Sequence, residues 1–286
     1  MIQQILSGLE AGSWYGLLAM ALVVIMKSTS VANFAIGDIG LLAAFVALTL
    51  TNLGIPFPVV VAAGLLVAIL VGVALEFFVM RRVPMRSHFA LLLVTIAIAL
   101  VIDSVIELVW GTNPLVLPAP WTNQKIEIWG EIVPWSQVIS IAAGLIGSFG
   151  LTLFFRTRAG ARMRAVAENR VAAQVLGISL NRVALISWGI AGGLSGVVMI
   201  LLTQARVLQS STASSVIVPA FVAAIIGGFS SLTGAFFAGL GLGVLENLAG
   251  GLISTGSKEA VALIVVLLVL LWKPRGIGGT SSVREV

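Results

Sequence analysis

Residues 59–82 read VVVAAGLLVAILVGVALEFFVMRR, an apolar run closed by two arginines. A bilayer core takes ~20 helical residues to cross. Lys and Arg collect on the cytoplasmic side of a span because they are hard to translocate. This stretch therefore reads as a transmembrane helix that stops at a cytoplasmic edge. The same pattern repeats along the chain.

Composition agrees. Of 286 residues, 59% are hydrophobic and 9% are charged, and the mean hydropathy is +1.14. A soluble domain carries about a quarter charged residues, so this chain cannot clothe itself in a polar surface. The expected fold is all-α: a polytopic helical membrane protein forming a single domain over 1–286. A net charge of +5 and a pI near 10.4 raise the question of nucleic acid. Such binding needs a basic face on a soluble domain or aromatic stacking positions. Here the charge sits at membrane edges, so no nucleic-acid partner is expected. There is no cysteine, hence no disulfide or thiolate chemistry. The beginning of the chain lacks a basic segment and a small-residue cleavage pattern, so a removable signal peptide is not expected.

Apolar runs lie at 11–26, 39–50, 59–80, 89–110, 136–155, 183–204, 216–226, 235–249 and 259–272. The run at 216–226 is short for a crossing. Residues 111–135 hold four prolines and, counting Trp110, four tryptophans. Tryptophan favours the headgroup level, so this segment is expected to be external or interfacial. Basic clusters at 81–86, 156–182 and 273–284 mark one side as cytoplasmic. Together these give roughly nine segments, an outside amino terminus and a cytoplasmic carboxyl terminus. Eight spans with one broken or re-entrant element is the alternative. Glycines three or four apart, at Gly189, Gly192, Gly193 and Gly196 and again from Gly234 to Gly243, suit close helix packing in lipid. The run 227–234 also suits a discontinuity lining a water-filled path.

The loop at 156–182 carries Arg156, Arg158, Arg162, Arg164, Arg170 and Arg182 against the single acid Glu168. A short helix is expected from Glu168 to Gly177, with Glu168 favouring its positive end and Gly177 at its C-cap. Ala172 and Ala173 are small enough to seat that helix in a partner's groove. A solvated loop that only fixes topology is the plainer alternative.

Three segments in order, NFAIGD at 33–38, RAGARMRAVAE at 158–168 running into AAQVLGI at 172–178, and AIIGGFSSLTGA at 224–235, carry a resemblance, with Gly239, Glu246 and KPRGI at 273–277 beyond them. Together they resemble the permease subunits of branched-chain amino acid ABC importers, the high-affinity leucine-isoleucine-valine type. The resemblance implies a multi-pass protein of the bacterial inner membrane, a periplasmic or extracellular solute-binding protein, a second and paralogous permease subunit, and two P-loop ATPase subunits. It implies that 156–182 is a coupling loop for the ATPase through Arg164, Glu168, Ala172, Ala173 and Gly177. The family's E-A-A-x-x-x-G pattern is matched at Ala172, Ala173 and Gly177, while Val171 replaces its glutamate. The chain has no G-x-x-x-x-G-K-[ST] segment, so nucleotide chemistry would belong to other chains. No cofactor is expected, and surrounding lipid is the remaining partner.

Ionisable groups in a span are costly and become functional candidates by default. Asp38 opens the second span and is expected to pair with Lys27 or a loop arginine. Asp103 and Glu107 share a helix face, near the external mouth or anchored through Arg206. Glu246 is the best buried acid, lining a path or locking helices. Asn33, Asp38, Gly227, Gly228, Ser230 and Glu246 form the candidate path or gate, joined by Ser231 and Thr233. His88, beside Arg86, reads as a loop residue. A self-sufficient secondary transporter or channel, using Glu246, Asp103 and Glu107 for ion coupling, is the rival class. An intramembrane enzyme is disfavoured. A serine hydrolase needs a base near its nucleophile, and a zinc site needs several ligands; the chain has one histidine.

Overall fold

The computed structural model describes residues 1–83, 88–128, 130–254, 256–273 and 276–278, with backbone alone at His88, Ile128 and Glu259. Helices follow one another as α1 (Ile2–Thr29), α2 (Ile36–Asn52), α3 (Phe57–Phe78), α4 (His88–Trp110), α5 (Trp135–Phe154), α6 (Arg158–Glu168) and α7 (Arg170–Val175). They continue as α8 (Leu180–Ala205), α9 (Ser214–Gly227), α10 (Leu232–Leu252) and α11 (Ser257–Trp272). Among the described residues, seven stretches are long and apolar enough to cross a membrane, and α2 and the apolar part of α11 are shorter. The short run at 216–226 belongs to one of the seven, because a turn at Ser210–Thr212 extends it to 18 residues. Residues 84–87, Arg86 among them, and the tail beyond 278 lie outside the described residues, and His88, read as a loop residue, is the first residue of α4.

Helix α1 is the axis of the bundle. Its residues from Trp14 to Ile25 are buried on every face, and α10, α8, α9 and α5 pack around it. In lipid, packing must replace the hydrophobic effect between helices, and α1 meets this demand with glycine. Gly8, Gly12 and Gly16 recur every fourth residue and face Gly239 and Gly243 of antiparallel α10. A Cβ on Gly8 would stand 2.6 Å from Val244 Cα, and one on Gly12 would stand 2.7 Å from Leu240 Cα. Backbone lies on both sides of the crossing, so no side-chain movement can make room. On α8, Gly192 and Gly196 lie against Ala68 of α3.

The ends of the bundle differ. One face carries Arg81 and Arg82 after α3, the loop helices α6 and α7, and the α9–α10 turn; it is the arginine-bearing face. The opposite face carries the 111–135 segment, which forms a β-hairpin, β1 (Lys125–Ile128) with β2 (Glu131–Pro134). Leu115 exchanges two backbone hydrogen bonds with Leu208, at 2.9 and 2.8 Å. The Trp121 indole donates to Gln204 Oε1 at 2.9 Å.

Overpacked cores lose about 1–3 kcal/mol, and a backbone-lined site relaxes least. Gly12→Leu is therefore expected to abolish the folded, monodisperse protein in detergent. Gly241→Leu, where nothing lies within 4 Å, should leave yield and melting temperature near wild type. Equal behaviour of the two variants would remove the glycine crossing as the basis of assembly.

Candidate functional site

The chain breaks between α1 and α2, inside the bundle. Ser28 and Thr29 turn their hydroxyls back onto the last carbonyls of α1, Thr29 Oγ1 donating to Ile25 O at 2.8 Å. Ser30 then takes a left-handed conformation, φ 56°, and helix formation stops. Asn33 is fully buried, and its Oδ1 accepts the Ala35 N–H at 2.9 Å, a side-chain turn that starts α2. Thr95 of α4 accepts the Phe34 N–H at 3.3 Å, and its hydroxyl lies 3.3 Å from Ala32 O. Ser195 of α8 donates to Ile36 O.

Depth follows from that last contact. Ser195 stands fifteen positions beyond Leu180 at the arginine-bearing end of α8, or about 22 Å along the helix. The α2 N-terminus therefore sits inside the hydrocarbon layer. Irregular backbone survives there only when protein or a water-filled cavity supplies its hydrogen bonds. Thr95, Ser195 and Asn33 do so. The Phe34 ring stacks on Phe221 of α9, centroids 4.3 Å apart and 23° from parallel, closing the break with an aromatic pair.

Acids line the adjoining α2–α4 contact. Asp38, buried in the first turn of α2, faces the Asp103 carboxyl of α4. Ser210 Oγ donates to Glu107 Oε1 at 2.8 Å, one turn farther along α4. Asp38 thus pairs with Asp103 in place of Lys27 or a loop arginine, because α2 begins deep in the bundle while Lys27 ends α1 at the arginine-bearing face. Arg206 does not anchor the α4 acids either: its guanidinium lies 5.5 Å from the Trp14 ring and interacts with Glu10.

The other path candidates lie elsewhere. Glu246, 3% exposed, hydrogen-bonds Tyr15 across the α1–α10 contact. Gly227, Gly228 and Ser230 form the α9–α10 turn. The late segment covers it, Ile277 N–H donating to Ile226 O at 2.7 Å and Gly278 N–H to Gly227 O at 3.1 Å. Ser231 caps α10 through the Gly234 N–H at 3.0 Å, and Thr233 Oγ1 lies 3.5 Å from Ser231 Oγ. So the glycine-rich run at 227–234 is a reverse turn at the arginine-bearing face, and the discontinuity of the bundle is at 30–35.

The arginine loop forms two helices. Glu168 ends α6, and Asn169 caps α7 by accepting the Ala172 N–H at 2.9 Å. The expected helix from 168 to 177 is thereby shortened to Arg170–Val175, because the Asn169 side chain takes the capping role. Gly177, φ 77°, makes the left-handed exit, and Ile178 N–H returns to Ala173 O at 2.9 Å. Ala173 is 2% exposed and points into the chain's own core. Val171, Val175 and Leu176 point outward, 71%, 83% and 76% exposed. Arg170 donates to Ser28 O at 2.8 Å, tying α7 to the end of α1; burial lowers its pKa from the ordinary value. Arg164 donates to Phe155 O. Beside this joint a cavity of about 120 Å³ is lined by Ser28, Thr29, Glu76, Arg81 and Arg170, with Glu76 and Arg81 paired at 3.3 Å.

Sequence reasoning passed over Glu76, Thr95, Ser195, the Phe34–Phe221 pair and the exposed face of α7. A carboxylate inside the 59–80 run was signal enough for Glu76. The aromatic pair joins residues far apart in the chain and had no local signal.

These features define a class: a multi-pass helical membrane protein with a buried chain break and an exposed helix on its arginine-bearing face. The chain belongs to the family described as branched-chain amino acid transport system / permease component, whose model matches residues 4–272. It is 29% identical to the high-affinity branched-chain amino acid transport system permease protein BraD of Pseudomonas aeruginosa, covering 100% of this chain and 98% of that one. It is also 29% identical to LivH of Escherichia coli K12, over 100% and 97%. A probable LivH of Methanocaldococcus jannaschii is 29% identical over 93% and 88%. In fold the chain is similar to a chain of PsaBC from Streptococcus pneumoniae, solved in complex with Fab, with TM-score 0.52, 13% identity and coverage of 94% and 91%.

Replacing Asp103 with valine strands the buried Asp38 carboxyl, at a cost of about 1–3 kcal/mol. A fall in melting temperature is expected for that variant. Asp103→Asn, whose amide can still donate to Asp38, should stay near wild type. Equal melting of the two would mean that the carboxyl pair contributes nothing to the α2–α4 contact.

Proposed function

We propose that this chain is a permease subunit of an ATP-binding-cassette importer. It moves branched-chain or similar small amino acids inward by alternating access, driven by ATP hydrolysis on separate subunits. The family match over nearly the whole chain carries the reading. The partners are P-loop ATPase subunits, a second and paralogous permease, and a periplasmic or extracellular solute-binding protein. The arginine-bearing face is then cytoplasmic, consistent with the distribution of positive charge, and the membrane is the bacterial inner membrane.

Coupling runs through α7. Val171, Val175 and Leu176 offer an apolar face beyond the membrane-spanning helices, where no lipid tail covers it, and large exposed apolar groups mark interaction surfaces. The ATPase seats on that face, while Ala173 holds the helix in position from within and Gly177 turns the chain out of it. Arg170 passes the displacement to Ser28, next to the break. There a shift of α1 against α2 opens or closes the Phe34–Phe221 pair. Asn33 and Asp38 lie at this gate. Glu246, locked to Tyr15, serves packing, and Gly227, Gly228 and Ser230 serve the turn. The apolar lining around the break suits a solute with an aliphatic body.

Val175→Asp places a charge on the exposed face without touching the core. It should abolish ATP-coupled uptake and co-purification of the ATPase, with the folded protein retained. Ala173→Trp, by contrast, should cost the folded protein itself. Unchanged uptake with Val175→Asp would sink the docking assignment. A chain that purifies alone and moves solute into liposomes without ATP would make it a self-sufficient transporter or channel.

A further inference from the structure

A groove of about 640 Å³ runs between α3, α5 and α8 on the outside of the bundle. Its volume is that of a ligand pocket, roughly 300–1,000 Å³, yet its walls are wholly apolar. Glycine hollows it from two sides. Gly147 and Gly150 belong to α5, Gly189 and Gly193 to α8, and a Cβ on Gly150 would have no neighbour within 4 Å. The wall on α8 extends from Leu185 to Val197, twelve positions farther on, or about 18 Å. One leaflet of hydrocarbon is about 15 Å deep. The groove therefore reaches from the arginine-bearing surface to the middle of the bilayer.

Its mouth is charged. Arg182 precedes Leu185 and Ile186 by three and four residues and Gly189 by seven, so it lies on the grooved face of α8, at the polar end. Side chains on a helix lean toward its N-terminus, which directs Arg182 to the headgroup level. Arg156 follows Phe154, the last groove residue of α5, by two positions. Both arginines are exposed, and neither has an ion-pair partner among the described residues. Two unneutralised guanidinium groups above a leaflet-deep apolar slot complement one kind of molecule on both counts. Basic pockets between helices at the membrane boundary bind anionic head groups, and guanidinium grips phosphate in a fork.

We propose that this groove seats one acyl chain of an anionic phospholipid, with Arg156 and Arg182 holding its phosphate. The site is independent of the solute path and of the transport reading.

Native mass spectrometry of the complex, delipidated and titrated with phosphatidylglycerol or phosphatidylcholine, tests it. Wild type should retain one phosphatidylglycerol under conditions that strip phosphatidylcholine. Two surface charges are worth about a 30-fold difference in apparent affinity, so Arg156→Gln with Arg182→Gln should bring the two lipids level. Gly150→Leu, which fills the slot without meeting the protein, should lower retention of phosphatidylglycerol. Equal retention of both lipids by wild type, or phosphatidylglycerol retention that survives both variants, would overturn the proposal. The chain has no native cysteine, so Gly150→Cys also gives a unique probe. Its cross-linking to a neighbouring permease would show that protein covers the groove, and would equally overturn it.

Discussion

Inside hydrocarbon every peptide N–H and C=O must find its partner within the protein, and the break at 30–35 is where this chain meets that demand at greatest cost. Helices meet it automatically. Six residues of irregular chain do not, and three side chains from three elements are spent on them: Asn33 itself, Thr95 from α4 and Ser195 from α8. The break therefore exists only because α4 and α8 are placed beside it. The wrapping of α8 and α10 around the buried middle of α1 is the scaffold that places them.

Most of the architecture was legible before any coordinate. The apolar runs, the arginines at 81–82 and in 156–182 and the tryptophan-rich segment at 111–135 correspond to helices, their ends and a hairpin-bearing segment. The reason is that the bilayer imposes length and polarity on each element separately, without reference to the rest. The failures were of another kind. Gly8 went unread because Gln3, Gln4 and Glu10 make the start of α1 look too polar for a span, so the first run appeared to begin at residue 11; Gly12 and Gly16 lay inside that run, but their partners Gly239 and Gly243 are remote in sequence. Those polar groups fall on the best buried helix of the fold, where protein shields them.

The candidate site was read less well, because pairing is a tertiary property. Asp38 was assigned to a cation and faces Asp103; the α4 acids were placed near the external mouth or against Arg206, and Arg206 lies over Trp14. In each case the residue was recognised as significant by its cost, and the partner could not be, since α2 starts at an unusual depth. In the arginine loop, Ala172, Ala173 and Gly177 were picked out by a motif. The outward face of α7 is made by Val171, which stands at the motif's glutamate, and by Val175 and Leu176, which the motif leaves unspecified. Ala173 secures the helix from behind, and the larger apolar residues meet the outside.

The far end of the molecule carries a mechanical implication. The double backbone bond of Leu115 with Leu208, and the indole link from Trp121 to Gln204, rivet the α4–α5 connection to the exit of α8. Any rotation of α4 relative to α8 that spares these bonds must pivot about them. A lever fixed at that end moves little nearby and progressively more with distance. The largest excursion then falls at the opposite pole, where α7 is fastened to the tail of α1.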